Sequence, residues 1–497
     1  MKIQIKQYVS TPALNELANT DHLVLVLPEG VKDAKWPNIG HKDALKARFK
    51  RGPEGAAPLL LDLPNKPATH VSMATISKEI SQFELLTLAR KLVSPHLAQN
   101  PRSLSLAMPG LPAKLTARVA EALLAAILAM AEKMPSYKSK KATAGKLKTV
   151  HIYNQKQKLD TRTCRATAAG NNLARALTTL PPNELTPGIY RKRVAKLARQ
   201  QGWKMQFHNM AALRKKKAGA FVAVAQGSPE ADAGMVHLRY EPKKKTGKQA
   251  CALVGKGICF DTGGMNLKPA QYMHGMHEDM EGSAVALGTL LALTELKVDF
   301  PVDCWLALAQ NHIGPKAYKQ NDVVTASNGT TIEVMHTDAE GRMVLADTLT
   351  FAARKKPALI IDYATLTGSC VAALGTTQSG AFTNQDGLLD DIIAAGKNSG
   401  ERVWPFPIDS DYDEALDSEI ADIKQCTISG GPDHILASRF LGKFIEKTPW
   451  LHVDLSSGNH KGGLAHIPTA ATGFGVRFTV ELLLQQNVLQ KLKPVED

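Results

Sequence analysis

The fold is decided by residues 253–280, which read LVGKGICFDTGGMNLKPAQYMHGMHEDM. The stretch begins as an apolar run of strand length that contains one charged residue, Lys256, and it continues into a D-T-G-G turn at Asp261. A charge on a buried strand is costly unless it is paired or bound to a metal ion. Lys268 precedes a proline, which favours an extended segment over a helix. The stretch therefore predicts a buried strand with charged side chains at its carboxyl end, where a functional site can form.

The flanking sequence alternates between strand and helix patterns. Apolar runs of strand length occupy residues 220–225, 250–260, 302–309 and 358–363, and helical spacing occupies residues 281–296 and 343–354. Near-continuous apolar strands indicate a sheet that is covered on both faces. In such folds, ligands bind at the carboxyl ends of the strands. We expect an α/β domain with a mixed, mostly parallel central sheet covered by helices.

The first third of the chain predicts a second, smaller α/β domain. A strand pattern at residues 22–27 is followed by helical patterns at 81–92 and 114–134. An Ala-rich helical pattern then runs to Pro181-Pro182, which cannot continue a helix. We therefore predict an N-terminal α/β domain over residues 1–160, a connecting helix over 161–180 and a catalytic domain over 181–497.

The charge of the chain is concentrated in its first third. The 497 residues carry 61 Lys and Arg and 46 Asp and Glu, a formal net charge of +15. Residues 1–165 hold 26 basic and 12 acidic side chains, a net of +14, so the rest of the chain is nearly balanced at +1. A basic domain indicates either a solvated surface or an anionic partner such as nucleic acid. Few aromatic residues interleave the basic runs, which favours the solvated surface.

The cysteines and the N-terminus predict a cytoplasmic protein. The six cysteines show no C-x-x-C spacing, which argues against a disulfide framework or a zinc ribbon. The N-terminus has no apolar core of a signal peptide. The most apolar stretch, residues 120–131, is too short to span a membrane and predicts a buried helix.

Two further stretches place polar residues at predicted strand ends. Residues 333–347 read EVMHTDAEGRMVLAD, which brings Asp338, Glu340 and Arg342 together before a helix. The same residues fit a capping box between Thr337 and Glu340, and this alternative stays open from the pattern alone. Residues 362–369 read DYATLTGS, a strand that ends in a polar turn.

Taken together, these stretches predict a metal centre. The carboxylates of Asp261, Asp279, Asp338 and Glu340 all fall at predicted strand ends or adjoining turns. Clustered carboxylates repel one another and need cations. Oxygen ligands without Cys or His suit Mg, Mn or Zn, and two such ions can activate a water and polarise a carbonyl. The pattern favours a two-metal hydrolase and leaves its substrate open.

The motifs resemble those of the cytosolic leucyl aminopeptidase family, whose members are two-metal exopeptidases. The resemblance rests on VGKGICFDTGGMNLKP, MHGMHEDMEGSA, HTDAEGRMVLAD and DYATLTGS, with LPPNELTP before them and ATGFGVRFTVELL after them. It implies a metal-dependent aminopeptidase with two divalent ions per subunit, Mn or Zn, with Mg and Co as further candidates. It also implies a homohexamer built as a dimer of trimers.

The resemblance assigns roles to individual residues. Asp261 and Glu340 would bridge the two ions, Asp338 would complete the more exchangeable site, and Lys256 and Asp279 would complete the tighter one. A lysine ligand has to be neutral, which requires the ions to lower its pKa. The nucleophile would be a water that bridges the ions.

The remaining roles concern the substrate and the proton. Lys268 would stabilise the oxyanion, and Arg342 would hold a bicarbonate ion that relays the proton, because arginine itself stays protonated. The other predicted site residues contact the substrate: Met276, Thr365, Leu366, Gly368, Ser456 and Asn459.

Some positions depart from the family pattern. His336 stands where asparagine is usual, and it could either tune the site or act as a hydrogen-bonding bystander. Ser456 and Asn459 make the substrate pocket more polar, which puts a preference for leucine in doubt. Residues 429–434, SGGPDH, form an unusual rim. A catalytically dead scaffold is disfavoured because all seven expected catalytic and metal positions are filled. The basic N-terminal domain keeps an additional DNA-binding role open.

Overall fold

The computed structural model describes residues 3–30, 39–51, 58–140, 145–244 and 247–492. It divides into two compact units. The first comprises the chain up to Ala168 together with Gly462–Thr469, and the second comprises Ala169–Lys461 and the chain from Ala470 onward. In the described ranges, no helix is both long and apolar enough to cross a membrane.

The first unit is a mixed α/β structure. Its strands are β1 (Gln4–Gln7), β2 (His22–Pro28), β3 (Leu59–Asp62), β4 (His70–Ile76), β5 (Ser103–Ala107) and β6 (Thr149–Ile152). Its helices are α1 (Leu14–Leu17), α2 (Lys42–Arg51), α3 (Gln82–Ala98) and α4 (Ala113–Ala131), and α5 (Arg162–Thr178) contains the division between the units. The described strands form one sheet in the order β1-β6-β5-β2-β4-β3, in which the β3–β4 pair alone is antiparallel.

The local sequence explains the elements of the first unit. Six residues of β2, from His22 to Leu27, are buried, as expected for a central strand between two covered faces. Helix α3 begins after a reciprocal capping box between Ser81 and Glu84, which satisfies free amide groups at its first turn.

The second unit contains the larger sheet. Its strands are β7 (Lys204–Asn209), β8 (Gly234–Tyr240), β9 (Cys251–Asp261), β10 (Val302–Asn311), β11 (Val323–Thr325), β12 (Thr331–Glu333), β13 (Leu359–Ala364), β14 (Ser379–Thr383), β15 (Val403–Pro405), β16 (Ile423–Lys424) and β17 (Trp450–Asp454). In the part of the chain that is described, eight of them form a sheet in the order β15-β14-β17-β13-β9-β10-β8-β7, and β11, β12 and β16 form a small separate sheet.

Helices surround this larger sheet. They are α6 (Pro187–Gln201), α7 (Met210–Lys215), α8 (Gly219–Ala225), α9 (Ala270–Met273), α10 (Glu281–Leu296), α11 (Glu340–Ala353), α12 (Gly368–Leu374), α13 (Leu389–Ser399), α14 (Asp433–Gly442), α15 (Val476–Leu484) and α16 (Val488–Lys491). Both α10 and α11 pack on β9. A Cβ atom at Gly282 would lie 2.1 Å from the carbonyl oxygen of Tyr363, so α10 approaches β13 at backbone distance.

The parallel centre of the sheet places the site. Strands β17, β13, β9 and β10 run parallel, so their carboxyl ends meet at one edge. That edge carries Asp261, Asn311, Ala364 and Asp454 as the last residues of their strands. The predicted α/β fold class is confirmed, as are the strand patterns at 250–260, 302–309 and 358–363 and the helix over 281–296.

The strand prediction for residues 220–225 is wrong, because this run forms helix α8. A short apolar run fits a buried strand and a buried helix equally well. The choice is made by a distant residue: Asp347 on α11 accepts a hydrogen bond from the backbone N–H of Phe221 at 2.8 Å. This carboxylate satisfies a free amide in the first turn of α8. The sequence around residues 220–225 does not reveal this contact.

Candidate active site

Four carboxylates converge at the carboxyl edge of the large sheet. Asp261 ends β9, Asp279 follows the short 3₁₀ turn Met276–Glu278, Asp338 precedes α11, and Glu340 is the first residue of α11. Oxygen atoms of Asp261, Asp338 and Glu340 all lie within 4.8 Å of one another. All four side chains line one cavity of about 1030 Å³.

Lys256 occupies the floor of this cluster. Only 3 % of the residue is exposed, and its Nζ lies 2.9 Å from both Asp279 Oδ1 and Glu340 Oε1. The same atom donates to the carbonyl oxygen of Thr365 at 2.9 Å. Burial opposes the charge on Lys256, but the neighbouring carboxylates outweigh this effect and raise its pKa. The ammonium group of Lys256 is therefore one counter-charge of the cluster.

Lys268 closes the cluster from the other side. Its Nζ lies 3.0 Å from Asp261 Oδ2 and within ion-pair distance of Asp338 Oδ1, and 15 % of its side chain is exposed. It is therefore the more accessible of the two lysines and faces the cavity. Burial opposes its charge too, but Asp261, Glu340 and Asp338 raise its pKa overall.

The electrostatics of the cluster fit divalent cations. Burial raises the pKa of Glu340 to about 8 and that of Asp279 to about 6, and the charge of Asp261 contributes to both shifts. In the described chain, Asp279 Oδ2 and Glu340 Oε2 are buried without a hydrogen-bond donor. Two lysines cannot neutralise four carboxylates, so the cluster has less positive than negative charge. Hard divalent ions supply that charge and accept the unpaired oxygens as ligands.

Asp261 is held by neutral donors. Asn311 Nδ2 and the backbone N–H of Gly263 each donate to Asp261 Oδ1 at 2.8 Å. Gly263 has a φ of +87°, and Gly264 follows with +69°, which is backbone that favours glycine. Because these donors fix one oxygen, the other is left to face Lys268 and the cavity.

Thr337 decides between the two interpretations of the second motif. Its hydroxyl donates to the carbonyl oxygen of Gly263 at 2.6 Å and accepts from the backbone N–H of Asn266 at 2.8 Å. Helix α11 has no side-chain cap, and its N-cap residue is Ala339. The capping-box alternative is therefore wrong, because Thr337 ties the loop before α11 to the turn after β9.

The predicted substrate residues line the same cavity. Thr365 Oγ1 donates to Asp279 Oδ1 at 2.7 Å. The backbone N–H of Leu366 donates to Asp454 Oδ1 at 3.1 Å, which shapes the turn that leads to Gly368. Met276 is half-buried on the cavity wall.

The hydroxyl of Ser456 and the amide of Asn459 have partners within the protein. Ser456 Oγ donates to the carbonyl oxygen of Gln378 at 2.7 Å, and Asn459 Nδ2 donates to Glu278 Oε2 at 2.6 Å. Asn459 is exposed, whereas Ser456 is buried. It therefore offers its remaining polar atoms to the cavity.

Arg342 lies on α11, two residues after Glu340, and only 2 % of it is exposed. Its Nη2 atom donates to both carboxylate oxygens of Asp433, at 2.9 and 2.8 Å, and Nη1 donates to the carbonyl oxygen of Gln425 at 3.0 Å. The predicted bicarbonate position at Arg342 is thus taken up by Asp433, which belongs to the unusual rim 429–434. Bicarbonate does not fit this arrangement.

His336 makes backbone contacts. Its Nδ1 accepts from the backbone N–H of Asp338 at 3.2 Å, and its own N–H donates to Gln425 Oε1 at 3.2 Å. Gln425 also donates through Nε2 to the carbonyl oxygen of Ala339 at 3.0 Å. These contacts shape the loop that carries Asp338, in keeping with a hydrogen-bonding role for His336.

Sequence reasoning missed several supporting residues. Asn311, Tyr318 and Gln425 all bind the loops that hold the carboxylates; Tyr318, for example, donates to the carbonyl oxygen of Thr337 at 2.7 Å. Asn311 ends a buried strand, a position of the same kind as that of Asp261, and this was the one usable signal.

Comparison with known proteins agrees with this geometry. The model of the "cytosol aminopeptidase family, catalytic domain" matches residues 172–480. A probable cytosol aminopeptidase from Acidovorax sp. (strain JS42) is 42% identical over 332 residues, which are 67% of this chain and 66% of that protein. Another from Pseudomonas paraeruginosa is 36% identical over 499 residues, which are 95% of this chain and 98% of that protein.

Solved structures give the same result. A mutant of tomato leucine aminopeptidase superposes with a TM-score of 0.86 at 27% identity, over 97% of both chains. The bottromycin maturation enzyme BotP in complex with Mn superposes with a TM-score of 0.80 at 29% identity, over 94% of this chain and 99% of that one. From the family match and these relatives, we conclude that the chain belongs to the cytosol aminopeptidase family.

Proposed function

We propose that the chain is a metal-dependent aminopeptidase that hydrolyses the N-terminal peptide bond of peptides. The observation that carries this proposal is the cluster of Asp261, Asp338 and Glu340 within 4.8 Å, beside two lysines at the carboxyl edge of the sheet. Asp261 and Glu340 are buried, and Asp338 is partly exposed. Family membership supports the same activity.

Five residues would hold two divalent ions: Lys256, Asp261, Asp279, Asp338 and Glu340. When bound, the ions would lower the pKa of a water molecule and polarise the scissile carbonyl group. Lys256 has to give up its proton to become a ligand, and since the neighbouring carboxylates raise its pKa overall, the ions themselves would have to lower it. Mn and Zn are our leading candidates, and Mn is present in the BotP complex.

The remaining residues would bind and orient the peptide. Lys268 faces the cavity with a charged amine and would donate to the oxyanion that develops on the scissile carbonyl. The turn with Thr365, Leu366 and Gly368 would hydrogen-bond the substrate backbone. Met276, Ser456 and Asn459 would line the pocket for the first side chain.

The proposal is tested with metal-stripped protein and a panel of aminoacyl amides. We expect hydrolysis only after Mn or Zn is restored, and only for substrates with a free α-amine. N-acetylated amides are the matched control, because they keep the scissile bond and lose the amine. Equal hydrolysis of the free and acetylated substrates would contradict an exopeptidase.

We also propose that the chain works as a cytoplasmic homohexamer, a dimer of trimers. The six cysteines are all buried and unbridged, which supports a reducing compartment. Six chains of 53.6 kDa give a particle of about 320 kDa. Light scattering at working concentration measures this mass directly, and a monomeric mass would contradict the assembly.

A second candidate function is nucleic-acid binding by the basic N-terminal region. Its net charge of +14 over residues 1–165 supports this role. Phosphate binding through lysine and arginine weakens steeply as salt increases. We expect affinity for duplex DNA to fall with a steep logarithmic salt slope, and a weak, flat response would reduce the charge to a solvated surface.

A further inference from the structure

The active-site cavity contains an ion pair that the metal cluster does not use. The guanidinium of Arg342 is buried and points its Nη2 atom at both oxygens of Asp433. The remaining terminal nitrogen binds the carbonyl oxygen of Gln425. Within the described residues, Arg342 Nε alone among the three guanidinium nitrogens lacks an acceptor.

The chain presents Asp433 to the cavity in a defined way. Asp433 is the first residue of α14, and its backbone N–H donates to the carbonyl oxygen of Gly431 at 2.8 Å. Gly431 has a φ of +103°, so the turn before the helix depends on glycine. The next residue, His434, anchors the helix start, because its N–H donates to Ser369 Oγ at 2.9 Å.

The carboxylate is also open to the cavity. The side chain of Asp433 is 30 % exposed, whereas that of Arg342 is 2 % exposed, and both line the cavity of the metal cluster. The pair is therefore asymmetric. The guanidinium of Arg342 is almost fully buried, whereas the carboxylate of Asp433 is partly exposed to the cavity that would hold the substrate.

Charge balance argues against a second anion at this position. A buried guanidinium needs one counter-anion, and Asp433 supplies it with two hydrogen bonds. A bicarbonate ion at the same nitrogen would have to displace Asp433 or lie beside it. Two anions side by side, close to the start of α11 where Glu340 stands, would repel each other.

We propose that Asp433 replaces bicarbonate as the counter-anion of Arg342, so that the aminopeptidase reaction of this chain proceeds without that ion. Asp433 acts as a positioning residue that keeps Arg342, and with it the first turn of α11, neutralised and in place. The inference rests on the proposed aminopeptidase function. It explains why the rim 429–434 departs from the family pattern.

The test uses the Mn-loaded full chain in CO₂-free buffer, with and without added bicarbonate. We expect wild-type kcat to be unchanged by bicarbonate. Asp433→Ala should lower kcat by about 10–100-fold, the usual loss when a supporting contact near a metal centre is removed. Bicarbonate or formate should restore part of that loss, because either anion fits the space that the truncated side chain leaves.

A matched control is available in the same unit. Asp413 also forms a two-hydrogen-bond pair with an arginine, Arg439, at 2.6 and 2.7 Å, and it does not line the cavity. Asp413→Ala should leave kcat unchanged and show no response to bicarbonate. This control separates the loss of an ion pair in general from the loss of the carboxylate at the site.

Three outcomes would overturn the inference. They are a wild-type rate that rises with bicarbonate, an Asp433→Ala variant with full activity in CO₂-free buffer, and a folded, metal-loaded Asp433→Ala variant that no small carboxylate rescues. The first readout needs no variant, so it stands even if Asp433→Ala fails to fold. If the wild-type chain shows no metal-dependent hydrolysis at all, the proposed function fails instead, and this is seen before any variant is made.

Discussion

Replacing Gly341 with alanine should weaken metal binding although every proposed ligand residue is kept. Gly341 is the second residue of α11 and follows Glu340. A Cβ atom at this position would lie 2.7 Å from both Nζ and Cε of Lys256. Ordinary contact begins at 3.4 Å, so the end of the Lys256 side chain would have to move by about 0.7 Å.

This shift exceeds the amount by which the contacts of Lys256 can lengthen before they weaken. The amine of Lys256 lies 2.9 Å from Asp279 Oδ1 and from Glu340 Oε1, and hydrogen bonds of this kind weaken beyond about 3.2 Å. Loss of one supporting contact at a metal centre typically costs about 10–100-fold in affinity. Helix propensity acts in the opposite direction, since alanine is favoured over glycine by up to about 1 kcal/mol in a helix interior.

The assay is a Mn titration of metal-stripped protein by calorimetry, with thermal unfolding of the same sample. We expect the ion that uses Lys256 to bind about 10–100-fold more weakly in Gly341→Ala, while the protein stays folded. Gly442→Ala is the matched control, because Gly442 also lies in a helix, α14. Apart from its chain neighbours and the backbone of its own helix, a Cβ atom added there would meet nothing within 4 Å in the described chain. Wild-type affinity for both ions in folded Gly341→Ala would refute the role of Lys256.

Four further substitutions test other contacts in the two units. Lys268→Ala should lower kcat by about 10²–10³-fold in steady-state assays with both ions still bound, and loss of an ion would place Lys268 among the ligands instead. Glu340→Ala should lose ion binding and activity together, as read by elemental analysis and hydrolysis, so full activity would refute the shared ligand. Gly288→Ala should destabilise the second unit by about 1–3 kcal/mol in urea unfolding, because its Cβ would lie 2.4 Å from the carbonyl oxygen of Gly170; unchanged stability would contradict this packing. Burial lowers the pKa of His96 to about 3. The imidazole is therefore protonated near pH 6.5 in the unfolded chain, but it stays neutral in the folded first unit. The stability of this unit should be lost as the pH falls from about 6.5 toward 3. Hydrogen exchange of β4 amides measures this loss, and an equally steep loss in His96→Gln would show that other groups cause it.

Sequence patterns were sufficient where the determinants are local. Strand β9 and helix α10 follow from runs of apolar residues, and the D-T-G-G turn follows from glycine backbone freedom. The position of Asp261 at the site could be predicted because the ends of parallel strands share one edge of the sheet. Glu340 reaches the same site from the start of α11, after β12 of the small separate sheet.

The failures have a common physical cause, which is a partner far away in the sequence. Residues 220–225 form a helix because Asp347, 126 residues after Phe221, binds a free amide of α8. The pairing of Arg342 with Asp433 spans 91 residues and depends on how the rim folds back over α11. No spacing within either motif contains this information.

The central claim is that two divalent ions bound by the Lys256–Asp261–Asp279–Asp338–Glu340 cluster carry out the hydrolysis of N-terminal residues. Its most direct test is a titration of metal-stripped protein with Mn, in which bound ions per chain and hydrolysis of an aminoacyl amide are measured on the same samples. We predict that activity rises only as occupancy approaches two ions per chain, and that the N-acetylated amide stays intact throughout. Full activity in the metal-free protein, or binding of two ions by Glu340→Ala with wild-type affinity, would contradict this claim.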